Sequence, residues 1–167
     1  MAPNPKDDPA NLELSPAEMQ AMGATVLARV VEHLAALRDM PSCGDFTDIQ
    51  ALCRSMRENV PEQGTALQDL LAPLFDEWIP RSFTTPGPGY LAYIPGGGIY
   101  PAALADFIAD TTNRYTGIWQ AAPALVQLEA NTLDWLRDWM QFPAEARGLF
   151  TTGGSMAMFN AIACARE

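Results

Sequence analysis

Lysine is all but missing from this chain: of 167 residues only Lys6 is a lysine, and histidine occurs once, at His33. Chemistry that needs an amine or an imidazole inside a folded site therefore has almost nothing to draw on. Basic residues of both kinds number 10 against 20 acidic ones, for a net charge of −10. No run of Lys and Arg exists that could track a phosphate backbone or an anionic lipid surface, which argues against nucleic-acid and membrane partners. The three cysteines, Cys43, Cys53 and Cys164, have no metal-ligand spacing and leave an odd thiol in any pairing scheme, so they read as reduced and intracellular. No uninterrupted apolar run is long enough to span a bilayer. The opening residues MAPNPKDDPANLEL are polar and Pro-rich, unlike a signal peptide. A cytoplasmic protein with a flexible tail over residues 1–14 is expected.

With 49% hydrophobic and 18% charged residues, the remainder has the composition of a globular protein of one domain or parts of two. Ser15-Pro16-Ala17-Glu18 combines a Ser N-cap, Pro at the first helical position and Glu three residues after the cap. Met22, Val26, Val30, Leu34 and Leu37 follow at helical spacing up to Pro41, which predicts a long amphipathic helix. His33 lies beside that stripe with no ligand-spaced neighbour and receives no role. Thr47 with Gln50 and Thr65 with Gln68 repeat the capping-box pattern and predict two more helices, the later one running through Leu67, Leu70, Leu71, Leu74, Phe75 and Trp78 to a stop at Pro80. Three such helices form either a small bundle or an arm that packs on another surface.

Between Thr84 and Pro101 the sequence TTPGPGYLAYIPGGGIYP is too rich in Gly and Pro to propagate a helix or a central strand. Its aromatic and apolar residues argue against disorder, so an ordered loop forming a pocket wall is expected. A helix then starts at Pro101 and fades at Thr111-Thr112-Asn113, and a longer one runs from Pro123 with Leu125, Leu128, Trp135, Leu136 and Trp139 on its apolar face. Trp135 and Trp139 are assigned to packing. Near the end, Thr152-Gly153-Gly154-Ser155 opens a segment of almost wholly apolar and small residues, which predicts a helix buried all round. Free N–H groups at its N-terminus, glycines that admit close approach and a serine hydroxyl together suit a phosphate, although a simple helix cap explains the same residues. No Lys follows the glycines, so this is not a Walker A loop. Such a helix, without a stop signal, suggests the N-terminal part of a longer polypeptide.

Read in order, Tyr90-Leu91-Ala92-Tyr93-Ile94-Pro95, Tyr100-Pro101, Leu104-Ala105-Asp106, Trp119, Ala122-Pro123-Ala124, Leu128-Glu129, Trp135-Leu136 and Gly153-Gly154-Ser155-Met156-Ala157 resemble the pyridoxal-phosphate-dependent amino acid decarboxylases of the aromatic-L-amino-acid and glutamate decarboxylase group. The resemblance implies an α/β fold-type I enzyme that binds pyridoxal 5'-phosphate. This chain would be the mainly α part of it: a three-helix dimerisation arm over residues 15–80, packed across the partner of a homodimer, then the start of the large cofactor domain over residues 81–167. It implies a cofactor phosphate held by Gly153, Gly154 and Ser155. It implies a pocket for a small L-amino acid lined by Tyr93, Ile94, Pro95 and Gly96, with Tyr115 contributing to the pocket of the neighbouring subunit. No residue of this chain is assigned a catalytic role: the family's cofactor-binding lysine, stacked histidine and acidic partner of the pyridine nitrogen have no counterpart at Lys6 or His33. The residues before the loop, Thr85 and Gly87-Pro88, and the three glycines after Pro95 depart from the aromatic-acid pattern, which leaves the substrate side chain open. The alternatives are a decarboxylating aldehyde synthase of the same family and a non-catalytic helical dimerisation module.

Overall fold

Helices dominate the computed structural model, which describes residues 13–166. In order they are α1 (Pro16–Ala36), α2 (Ile49–Ser55), α3 (Leu67–Pro73), α4 (Tyr100–Thr112), α5 (Pro123–Trp139) and α6 (Gly154–Arg166). Among the described residues no strand forms, and antiparallel pairing is limited to a single bridge between Cys43 and Phe83. The expected tail over residues 1–14 lies almost wholly outside the described residues. The chain divides into two units between Ile99 and Tyr100. No helix among the described residues is long and apolar enough to cross a membrane.

In the first unit α1 begins as its sequence predicts. The Ser15 hydroxyl accepts from the Glu18 N–H at 3.3 Å and Glu18 Oε2 accepts from the Ser15 N–H at 2.7 Å, a reciprocal capping box. One turn of α1 fastens it to the residues after α3. Arg29 pairs with Asp76 and lies 5.2 Å from the Phe75 ring centroid, and His33 meets the same ring edge-on at 6.0 Å. Its bond to Asp76 holds Arg29 still more firmly protonated than usual.

The other two predicted capping boxes do not form. At α2 the N-cap is Asp48, in left-handed backbone with φ 53, because Asp45 Oδ1 has already accepted the Thr47 N–H at 2.8 Å and turned the chain one residue later. At α3 the N-cap is Ala66, with no side-chain bond, and Thr65 stays outside. Nor does the third helix end cleanly at Pro80. Pro73 carries no N–H for the α-helical ladder, and the chain widens into a π-turn over Leu74–Trp78 before a 3₁₀ turn over Ile79–Arg81.

That 3₁₀ turn meets the segment after α1 in a clasp. Gly44 N–H donates to Ser82 O at 3.0 Å, Thr84 N–H to Ser42 O at 3.1 Å, and Arg81 Nη1 to Thr47 O at 3.0 Å. Gly44 is a glycine for want of space: a Cβ there would lie 2.3 Å from Pro80 O. Phe83 packs edge-on to Phe46 at 5.8 Å and tilted against Tyr90 at 5.9 Å.

In the second unit α4 starts at Tyr100, one residue before the predicted Pro101, and ends at Thr112, followed by Asn113, whose left-handed φ of 43 closes the helix. A 3₁₀ turn over Trp119–Ala121 leads to α5, which starts at Pro123 as its sequence predicts. Two expectations about packing are corrected here. Helix α6 is not buried: Met158, Phe159 and Ile162 are each more than 60% exposed. Trp135 and Trp139, assigned to the core, are 58% and 76% exposed. The cause is the same for both, since α4, α5 and α6 do not pack along one another's lengths. Leu71 and Ala122 are the only buried apolar side chains among the described residues.

Candidate functional site

The glycine corner is built by the start of α6. Gly153 has φ 140, a conformation that side-chain-bearing residues rarely adopt, and its carbonyl accepts from the Ala157 N–H at 3.0 Å and from the Thr151 hydroxyl at 3.2 Å. Because the ladder begins with that Ala157 bond, the N–H groups of Gly154, Ser155 and Met156 have no intrahelical acceptor. A Cβ added at Gly153 or Gly154 would meet nothing within 4 Å, so the backbone donors stand open. Ser155 occupies the second helical position rather than the cap, and among the described residues no hydrogen bond engages its hydroxyl. Three N–H donors, a free hydroxyl and the positive end of a 13-residue helix form a donor set for a dianion. Thr151, which holds the Gly153 carbonyl, was not singled out by sequence. A hydroxyl two residues before the corner was the available signal.

The predicted loop belongs to the first unit as far as Ile99, where α4 takes over, and is rooted by the clasp. Thr84 is buried, and two tight turns follow, Gly87 N–H to Thr84 O at 2.9 Å and Tyr90 N–H to Gly87 O at 3.1 Å. A side chain at Gly87 would strike the Thr84 methyl at 2.9 Å. Past Tyr90 the loop stands free. Tyr93 and Ile94 are 86% and 96% exposed, with φ of 59 and 49, two successive left-handed residues of which one is β-branched. Pro95 and Gly96 are exposed beside them. Tyr93 also lines an open groove with Ser42, Cys43, Phe83 and Tyr90.

Tyr115 lies in the second unit, between α4 and the 3₁₀ turn, with 67% of its surface exposed. Tyr93, Ile94, Pro95 and Gly96 thus come together on one loop, and Gly153, Gly154 and Ser155 on one helix terminus. Among the described residues no group of His, Cys, Asp and Glu could hold a metal ion. In the second unit the start of α6 offers an open set of donors, and in the first unit the rooted loop presents an aromatic and an apolar side chain to solvent.

The model of the pyridoxal-dependent decarboxylase conserved domain matches residues 50–167. The chain belongs to that family. An aromatic-L-amino-acid decarboxylase of Bacillus atrophaeus is 32% identical over 157 residues, which cover 94% of this chain and 32% of the relative. An L-2,4-diaminobutyrate decarboxylase of Rhizobium meliloti is 26% identical over 133 residues, covering 80% of this chain and 27% of the relative. The solved structure of Oryza sativa TDC with PLP superposes with a TM-score of 0.73 at 19% identity, over 86% of this chain and 30% of that one. The expected mainly α structure of this part of the fold is therefore observed. The chain spans about a third of the length of the curated relatives it matches.

Proposed function

We propose that this chain is the N-terminal portion of a pyridoxal-phosphate-dependent L-amino acid decarboxylase, a carbon–carbon lyase that releases carbon dioxide and leaves the amine. One observation supports the reading above others: the open donor set of Gly153, Gly154, Ser155 and Met156 at the start of α6, within a segment matched by the family model. When bound, pyridoxal phosphate supplies the electron sink on which decarboxylation depends. The N–H groups of the corner and the Ser155 hydroxyl hold its phosphate and fix its orientation. The chain carries a net charge of −10, so a dianion is held here by local donors and the helix dipole, against the field of the whole molecule.

Tyr93, Ile94, Pro95 and Gly96 line the pocket for the amino acid side chain, and Tyr115 contributes to the pocket of the neighbouring subunit. Residues 15–80 form the dimerisation arm of a homodimer, and residues 81–167 open the large cofactor domain. Their surroundings are cytoplasmic. The relatives are named for different substrates, an aromatic amino acid in one and diaminobutyrate in the other, so the proposal extends to L-amino acids as a class.

Ser155→Ala in the complete enzyme tests the cofactor site. A hydrogen bond to a charged group contributes about 1.5–3 kcal/mol, so pyridoxal phosphate affinity should fall about ten- to a hundredfold, with a smaller loss of turnover at saturating cofactor. If Ser155 served only its helix, apo and holo thermal midpoints would fall equally, by the equivalent of about 1 kcal/mol. An amine rather than an aldehyde as the product separates the decarboxylase from an aldehyde synthase.

A further inference from the structure

Two residues after Tyr115 comes Gly117, in the bend that leads to the 3₁₀ turn at Trp119. A Cβ added to Gly117 would lie 2.5 Å from the Tyr115 hydroxyl oxygen, 2.6 Å from Cζ and 2.8 Å from Cε2. The outer edge of the phenol ring is therefore folded back against the main chain of Gly117, in the space that any side chain would take. Backbone conformation does not account for this glycine. Gly153 is the only glycine among the described residues with a left-handed φ, so the backbone at 117 would accept alanine, and the three atoms nearest an added Cβ all belong to the Tyr115 ring. Nor would the fold resist the exchange, because a ring that is 67% exposed has open solvent to turn into.

We propose that Gly117 is a positioning residue for the substrate pocket: its missing side chain lets the Tyr115 ring close over the bend and so fixes where the phenol edge meets the substrate. The inference rests on the reading of Tyr115 as a pocket residue. A methyl group at 117 forces rotation about the Tyr115 side-chain torsions and carries the hydroxyl, the atom farthest from the backbone, through the largest displacement. The pocket then changes shape while the helices on either side keep theirs.

The test uses three variants of the complete holoenzyme, Gly117→Ala, Tyr115→Ala and the two combined. For each, kcat and KM are measured with L-amino acids of increasing side-chain bulk, beside the thermal midpoint and the absorbance of the bound cofactor. Gly117→Ala should change kcat/KM by about ten- to a hundredfold, unequally across the series, with midpoint and absorbance unchanged. In the Tyr115→Ala background the same substitution should add nothing, since the ring it displaces is gone. An equal effect in both backgrounds overturns the proposal, and so does a silent Gly117→Ala beside an impaired Tyr115→Ala. A Gly117→Ala protein that fails to fold overturns it as well, because the ring would then be fixed by the fold. A Tyr115→Ala protein with every kinetic constant unchanged removes Tyr115 from the pocket, a failure of the underlying reading that the other outcomes do not produce.

Discussion

Replacing Gly44 by alanine should destabilise the protein by about 2–3 kcal/mol, and the magnitude follows from the clasp. The added Cβ meets main chain, 2.3 Å from Pro80 O and 2.7 Å from Arg81 C and Cα. Backbone atoms held in a 3₁₀ turn cannot step aside as a flexible side chain can, so the two segments part. Parting them breaks the Gly44 to Ser82 and Thr84 to Ser42 hydrogen bonds, at 3.0 and 3.1 Å, and the Arg81 to Thr47 bond at 3.0 Å. Three bonds at a net value of about 1 kcal/mol each amount to about 3 kcal/mol. The reduced freedom of the unfolded chain on exchanging Gly for Ala offsets about 0.4–1 kcal/mol of this. Gly64 is the control: nothing lies within 4 Å of its added Cβ, so Gly64→Ala should gain that entropic term alone. Urea unfolding of the complete protein measures both, and limited proteolysis within residues 84–99 should quicken in Gly44→Ala as the loop loses its root. A Gly44→Ala protein as stable as Gly64→Ala would refute the reasoning.

Three other outcomes are expected. Tyr93→Ala in the complete enzyme should raise KM or lower kcat with cofactor content intact; a change in thermal midpoint alone would place Tyr93 in packing instead. Thr47, through its hydroxyl and its N–H, holds the Asp45 carboxyl below its ordinary value of 3.8. The folded state thus gains stability that is present above that value and is lost as pH falls through the depressed one. Asp45→Asn should therefore be less stable than the parent at neutral pH and converge with it in acid, as followed by thermal midpoints across pH; a constant gap would refute the assignment. Removing residues 1–80 from the complete protein should abolish dimerisation and folding together, and a soluble, cofactor-bound dimer of the truncated protein, seen by sedimentation, would count against the arm.

How far the fold was legible depends on how local its causes are. Helices α1 and α5 are written in adjacent residues, a Ser-Pro-Ala-Glu cap and a Pro at the first turn, and both start where those residues say. The start of α2 was misread because two side chains compete for one turn: Asp45 takes the Thr47 N–H that in a capping box would donate to the Gln50 side chain. An Asp two residues before the apparent cap was the signal for that turn. At α3 the Thr-x-x-Gln pattern is present and unused, which shows that spacing alone does not fix a cap. The clasp joins Gly44 to Pro80 and Ser82, far apart in the chain, and no local pattern announces such a contact. The glycine corner was legible as a helix start, and its openness was not, since open space is a property of what lies around it. The packing assigned to α6, Trp135 and Trp139 failed for a related reason: an apolar face specifies that it be covered, and leaves unspecified what covers it.

The π-turn after α3 also bears on which segments of this chain can change length. In that turn the Ile79 N–H reaches Leu74 O, five residues back, where an α-helix would reach four. It accommodates one residue more than the helix would need. Every residue downstream is set by that surplus, including Pro80 and Arg81, which face Gly44 across the clasp. Deleting one residue between 74 and 78 would let an α-helix run through unbroken, yet it would swing Pro80 and Arg81 about 100° around the axis, away from their partners. Exposed helical segments are ordinarily forgiving of such edits at their ends. Here the forgiving place is the stretch over residues 57–66, exposed throughout and outside any helix, where an insertion or deletion changes only the tether between α2 and α3. A single-residue gap at 74–78 and one at 57–66 are equal in length and opposite in consequence.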